Sequence, residues 1–159
     1  MTVKLTIDRS EDLMKQIKSL TQSRVLVGVP AGETERQDGE PITNAALAYI
    51  HDNGAPEANI PARPFMRPGI ESAEGSIANK MKAGAVKTLQ GDKEAVDQTM
   101  MAVGLIAQSS IKSKINEGIP PPLAPNTLAD RRRRGRTGEI PLIDTGQLRN
   151  SINFVVRKK

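Results

Sequence analysis

Val3, Leu5 and Ile7 alternate with Lys4 and Thr6, a period of two that predicts a half-buried strand at the start of the chain. The period then lengthens. Leu13, Met14, Ile17 and Leu20 share one helical face behind Ser10 as N-cap, and Glu11 and Asp12 sit where the positive end of a helix dipole favours them. Residues 24–29, with Val25-Leu26-Val27-Gly28-Val29 apolar throughout and Pro30 as a stop, predict a strand buried on both faces. Residues 31–41 are polar and glycine-containing, with nothing able to pack, so a mobile loop is expected. A helix opens at Ile42 or Thr43, runs through Tyr49-Ile50-His51, and ends where Asn53-Gly54 supplies a left-handed residue. Pro56, Pro61, Pro64 and Pro68 bias the residues before them away from helix, which predicts an extended arm over residues 55–68.

Ile70, Ile77, Met81 and Leu89 mark a helix over residues 70–89 that Gly75 and Gly84 either weaken or fit for close packing. The next helix is better marked. From Asp92 onward Val96, Met100, Val103, Ala107, Ile111 and Ile115 recur at spacings of four and three, one apolar stripe along roughly six turns. Gly118 and Pro120-Pro121-Pro122 end it. Residues 118–140 predict a flexible basic loop with a short helix or turn around Asn126 to Arg133. Near the C-terminus Asp144 has the character of an N-cap, and Gln147 stands three residues on, as in a capping box. Leu148 and Ile152 would share the face of a short turn, and Asn153-Phe154-Val155-Val156 suits a strand. These elements predict one α+β domain over residues 1–159. Its small, mostly antiparallel sheet, the C-terminal strand joining the N-terminal ones, packs against several helices including one long amphipathic helix.

Composition changes the picture in three ways. Only Phe65, Phe154 and Tyr49 are aromatic, so the core must be aliphatic, and a thin core favours burial completed by neighbouring subunits. The absence of cysteine excludes disulfides, thiolate metal sites and cysteine nucleophiles. The net charge of +5 favours an acidic partner, either DNA or an acidic protein subunit. No apolar run has the length of a signal h-region or a membrane helix, so a soluble protein made in the cytoplasm is expected, with no membrane partner.

Candidate chemistry is sparse. Arg131, Arg132, Arg133 and Arg134, with Arg136 just after, form the densest charge on the chain. They read as a solvated or subunit-pairing turn, or as phosphate contacts facing DNA. The lack of interleaved aromatic residues favours the first reading. His51, the sole histidine, has no partner at catalytic or metal-ligand spacing and is expected to cap helix carbonyls. Gly28-Val29-Pro30-Ala31-Gly32 fits neither phosphate-loop pattern, and the acidic residues fall at helix starts or on polar faces. No catalytic residue, cofactor site or metal site is indicated. Arg63, Phe65, Met66 and Arg67 mix apolar anchors with bidentate donors between prolines. That suits docking on a neighbouring subunit as well as packing on their own domain.

Two stretches together resemble a known family. Ile60-Pro61-Ala62-Arg63-Pro64-Phe65-Met66-Arg67-Pro68, followed at a distance by Leu142-Ile143-Asp144-Thr145-Gly146-Gln147-Leu148-Arg149-Asn150-Ser151-Ile152, resembles the small tail-component or virion-morphogenesis proteins of tailed bacteriophages. The resemblance covers about half the chain, in the family's order. It implies a non-enzymatic virion protein, a neck, collar or tail-completion subunit that forms rings of six or twelve copies with other neck or tail proteins. It also implies that Asp144, Thr145, Gly146, Leu148 and Arg149 form a structural motif. The alternative from the residues alone is a basic nucleic-acid-binding accessory protein.

Overall fold

The computed structural model describes residues 10–30 and 41–158. The strand expected at Val3 to Ile7 lies outside them, as does the loop expected over residues 31–41 except for its last residue, Pro41. Helix α1 (Ser10–Gln22) leads into β1 (Ser23–Gly28), then α2 (Asn44–Asn53), α3 (Met66–Ser72), α4 (Glu74–Leu89), α5 (Ala95–Asn116), α6 (Pro125–Arg133), α7 (Gln147–Ser151) and β2 (Asn153–Lys158). The fold is α+β, with the two described strands paired antiparallel.

The stripe on α5 organises the molecule. Val96, Met100, Val103, Ala107, Ile111 and Ile115 are all buried, as the spacing predicts. Helices α3 and α4 pack against α5, and the β ribbon packs against it as well. Glycines permit this closeness. A Cβ on Gly84 would collide with the Thr99 side chain, and one on Gly104 would enter the ring of Phe154. Gly84 therefore serves close packing, whereas Gly75 faces open space. Val25 pairs with Val156 and Val27 with Phe154 on the inner face of the ribbon. The outer face carries Leu26 opposite Val155, both about two-fifths exposed. Strand β1 is thus not buried on both faces, because α5 covers only one side of the ribbon.

The helix expected over residues 70–89 is two helices broken at Ala73, and the first starts inside the proline-rich arm. Pro68 is third in α3, where no intrahelical hydrogen bond is lost, so the proline there is tolerated. Phe65 carries no cap of its own. Asp52, at the end of α2, supplies it by accepting from the amides of Phe65 at 2.7 Å and Met66 at 3.0 Å. The rest of the arm turns too, through a 3-10 turn at Pro56–Ala58 and a bridge from Ala55 to Ile60.

That capping anchors the arm in its own domain. Phe65 is fully buried in a cluster with Ala48, Ile111, Ile115, Ile119, Leu148 and Ile152, and Met66 packs at its margin. Phe65, Met66 and Arg63 are therefore core and anchoring residues here rather than free interface groups; Arg67 alone of the four is exposed. Helix α2 matches expectation at both ends. Thr43 Oγ1 accepts from the Ala46 amide, and Gly54, at φ 80°, ends the helix by donating to the Ile50 carbonyl.

Candidate functional site

Two buried arginines shape one side of the molecule. Arg63, 6% exposed, reaches from the arm to the segment after α5, where Nε and Nη2 donate to the Pro121 carbonyl at 3.1 and 2.8 Å. Nη2 also reaches the Pro122 carbonyl at 3.4 Å. These prolines have no amide to donate, so only their carbonyls can tie the segment down. Arg131, also 6% exposed, does the same for the chain after α6: Nη1 donates to Gly138 at 2.7 Å and Ile140 at 3.1 Å. The short helix expected around Asn126 to Arg133 is present as α6, and Arg132, Arg133 and Arg134 are exposed, whereas Arg131 is buried against expectation. Arg131 turns inward on α6 and holds an irregular segment by its carbonyls, which apolar packing could not satisfy.

The other arginines are largely paired. Arg132 meets Glu139 at 3.2 Å and Arg133 meets Asp130, both on the surface. Asp144 is the hub, with Arg131 at 3.5 Å, Arg134 at 4.0 Å and Arg136 in contact. This engagement explains why the expected capping box does not form. The carboxylate of Asp144 faces guanidinium groups, and α7 instead starts from Gly146 in the left-handed region at φ 79°. Thr145 Oγ1 takes over part of the cap by accepting from the Gln147 amide at 3.4 Å. Leu148 is buried in the core, and Arg149 donates to Asn116 at the end of α5 at 2.9 Å. Of the five motif residues, Leu148 is in the core and Asp144, Thr145 and Gly146 lie at the turn before α7.

Between these groups lies a cavity of about 230 Å³. Arg63, Arg131, Arg134, Asp144, Thr145 and Gly146 line it, which brings the arm, the arginine run and the C-terminal motif together. Arg132, Arg133, Arg136 and Arg67 do not line it. Two lining residues come from one face of α2. Asn44 is buried with no hydrogen-bond partner for Oδ1, and His51, seven residues on, has none for Nδ1. His51 therefore does not cap carbonyls through Nδ1. Burial, and then the nearby charge of Arg63, hold its pKa below the ordinary 6.5, so it is neutral at neutral pH.

Asn44 was not singled out by any motif; the signal for it is the seven-residue spacing to His51, two turns along one helix face. His51 Nδ1 has no hydrogen-bond partner. Among the described residues no cluster of three or more His, Asp or Glu could hold a metal ion, and no helix is long and apolar enough to cross a membrane. No protein-family model, curated protein or solved structure matches the chain.

Proposed function

We propose that the chain is a non-enzymatic structural subunit of a tailed-phage virion, forming a ring at the neck or tail end through which DNA passes. The observation that carries the self-assembling part is the apolar surface left uncovered in a single copy. Among the described residues thirteen apolar ones are buried, four of them alanine, leaving nine larger ones, against twelve large apolar residues that remain exposed. Helix α1 buries none of its residues and exposes Leu13, Met14 and Ile17. Val86 and Leu89 on α4 and Met101 and Leu105 on α5 are about half exposed. Met101 and Leu105, four apart, share a face on which a neighbour can pack.

The resemblance to virion-morphogenesis proteins supplies the rest of the reading. Its two motifs, far apart in sequence, share the hydrophobic cluster and the walls of one cavity, as parts of a single structural unit would. A ring needs two different patches that meet head to tail. The alternative, an accessory nucleic-acid-binding protein, would draw on the arginine run, but Arg131 to Arg134 and Arg136 all have carboxylate partners.

Size-exclusion chromatography with light scattering, followed by negative-stain imaging, tests the proposal. Closed rings of six or twelve copies are expected, and Met101→Glu with Leu105→Glu should reduce them to folded monomers. A wild-type chain that stays monomeric at micromolar concentration, and is absent from purified virions, would overturn it.

A further inference from the structure

The cavity between α2, α6 and the Asp144 turn contains a buried cation without a counter-ion. Arg63 has no carboxylate within ion-pair distance among the described residues, and its three hydrogen bonds leave Nη1 unused. A buried guanidinium satisfied only by carbonyl dipoles remains a net charge in a poorly solvated place, which a carboxylate would relieve through short charge-assisted bonds. The excess is not local to Arg63. Asp144 is a single carboxylate shared among Arg131, Arg134 and Arg136.

Two further groups in the same wall lack partners. Asn44 is more than nine-tenths buried with Oδ1 unsatisfied, and a half-turn of its amide presents NH2 in place of that oxygen. His51 Nδ1 is likewise unsatisfied, and the neutral ring can carry its proton there. Leu47, Leu123, Leu142 and Leu148 add an aliphatic wall, and Thr127, Arg131, Arg134, Asp144, Thr145 and Gln147 complete the lining. The guanidinium, amide and imidazole offer donors to an anionic head, and the four leucines offer an alkyl stem a surface that phosphate has no group to use. The volume, about 230 Å³, suits a group of that size.

We propose that this cavity is a binding site for an aliphatic carboxylate, its head on Arg63, Asn44 and His51 and its stem against the leucines. The same chemistry is offered by a free short-chain carboxylic acid and by a glutamate side chain of another polypeptide. The full chain is titrated with sodium butyrate, butyramide, sodium phosphate and the blocked peptide acetyl-Ala-Glu-Ala-amide, following the His51 ring and Asn44 amide signals by NMR. Saturable shifts with butyrate, and none with butyramide or phosphate at equal concentration, are expected. If the peptide competes with butyrate at equal or lower concentration, the source is a polypeptide; if only butyrate binds, it is a free acid.

Asn44→Leu is the informative variant, because it removes an unsatisfied group, leaves the Arg63 anchor intact and should fold normally. It should weaken butyrate binding about tenfold, the worth of one hydrogen bond to a charged group. Arg63→Gln should abolish binding, but it also frees the Pro121 and Pro122 carbonyls, so its folding is checked separately. Equal shifts with butyramide would show apolar filling only, and equal shifts with phosphate an unselective cationic patch. Either result, or no response to both carboxylate probes, would overturn the proposal.

Discussion

Around α5, neighbouring segments are held by shape: Ile111 and Ile115 are fully buried, Gly104 lets Phe154 approach α5, and Gly84 lets α4 approach Thr99 on it. Around residues 118–146 they are held by charge. There Arg63 and Arg131 each grip a pair of backbone carbonyls, and the chain between α5 and α7 has only one helix of its own, α6. The difference follows from what each stretch can offer. A periodic apolar stripe satisfies its backbone internally and needs only a complementary surface, whereas a proline- and glycine-rich stretch has free carbonyls that burial would penalise. A guanidinium with several donors in a fixed fork solves that with one side chain.

The largest effect should come from the shape-held half. Ile111→Ala empties a site that is fully enclosed between α3, α5 and the Phe65 cluster, and should cost about 4 kcal/mol by lost burial and residual cavity. Urea denaturation monitored by circular dichroism measures it. A loss below about 1 kcal/mol would mean that the core collapses around the gap, and α5 would not be the organising element.

The charge-held half should be nearly as sensitive, but at one arginine of the run only. Arg131→Ala strands the Gly138 and Ile140 carbonyls and one side of Asp144, for about 3 kcal/mol, while Arg133→Ala, on the surface beside Asp130, should stay within about 0.5 kcal/mol. The pair is measured in the same denaturation assay. Equal effects would erase the distinction between a carbonyl-holding arginine and a surface one.

Legibility in sequence divides along the same line. The α5 stripe is readable because a repeat of three and four has one physical meaning, and all six stripe residues are buried. The caps of α2 are readable for a similar reason: Thr43 and Gly54 act within their own turn. The break at Ala73 and the early start of α3 are not, since the cap of α3 comes from Asp52, thirteen residues before Phe65. Nor does any local pattern separate Arg131 from Arg132, Arg133 and Arg134. Their difference arises from which way α6 turns toward the Gly138 and Ile140 carbonyls, and that is set by tertiary packing. The candidate site was legible in pieces, as Arg63, the arginine run and Asp144, while its assembly around Asn44 and His51 was not.

The smallest expected effect sharpens the comparison through pH. His51 lies in the charge-held half, where burial first and Arg63 second keep its pKa below 6.5, while Arg131, Arg134 and Asp144 line the same cavity. As pH falls below about 6.5 the unfolded chain takes up a proton that the folded chain resists, so unfolding is favoured. The contribution is fully present above that pH, is lost as pH falls toward the depressed folded-state value, and is flat below it. Its slope cannot exceed about 1.4 kcal/mol per pH unit for one group. Subtracting the stability of His51→Asn from that of the wild type between pH 7.5 and about 5 should isolate this slope. The same subtraction between Ile111→Ala and the wild type should show none, because Ile111 is buried in a cluster of apolar side chains. If wild type and His51→Asn share one pH profile, the imidazole is solvated and the arginine-lined cavity is not the environment that distinguishes this half of the molecule.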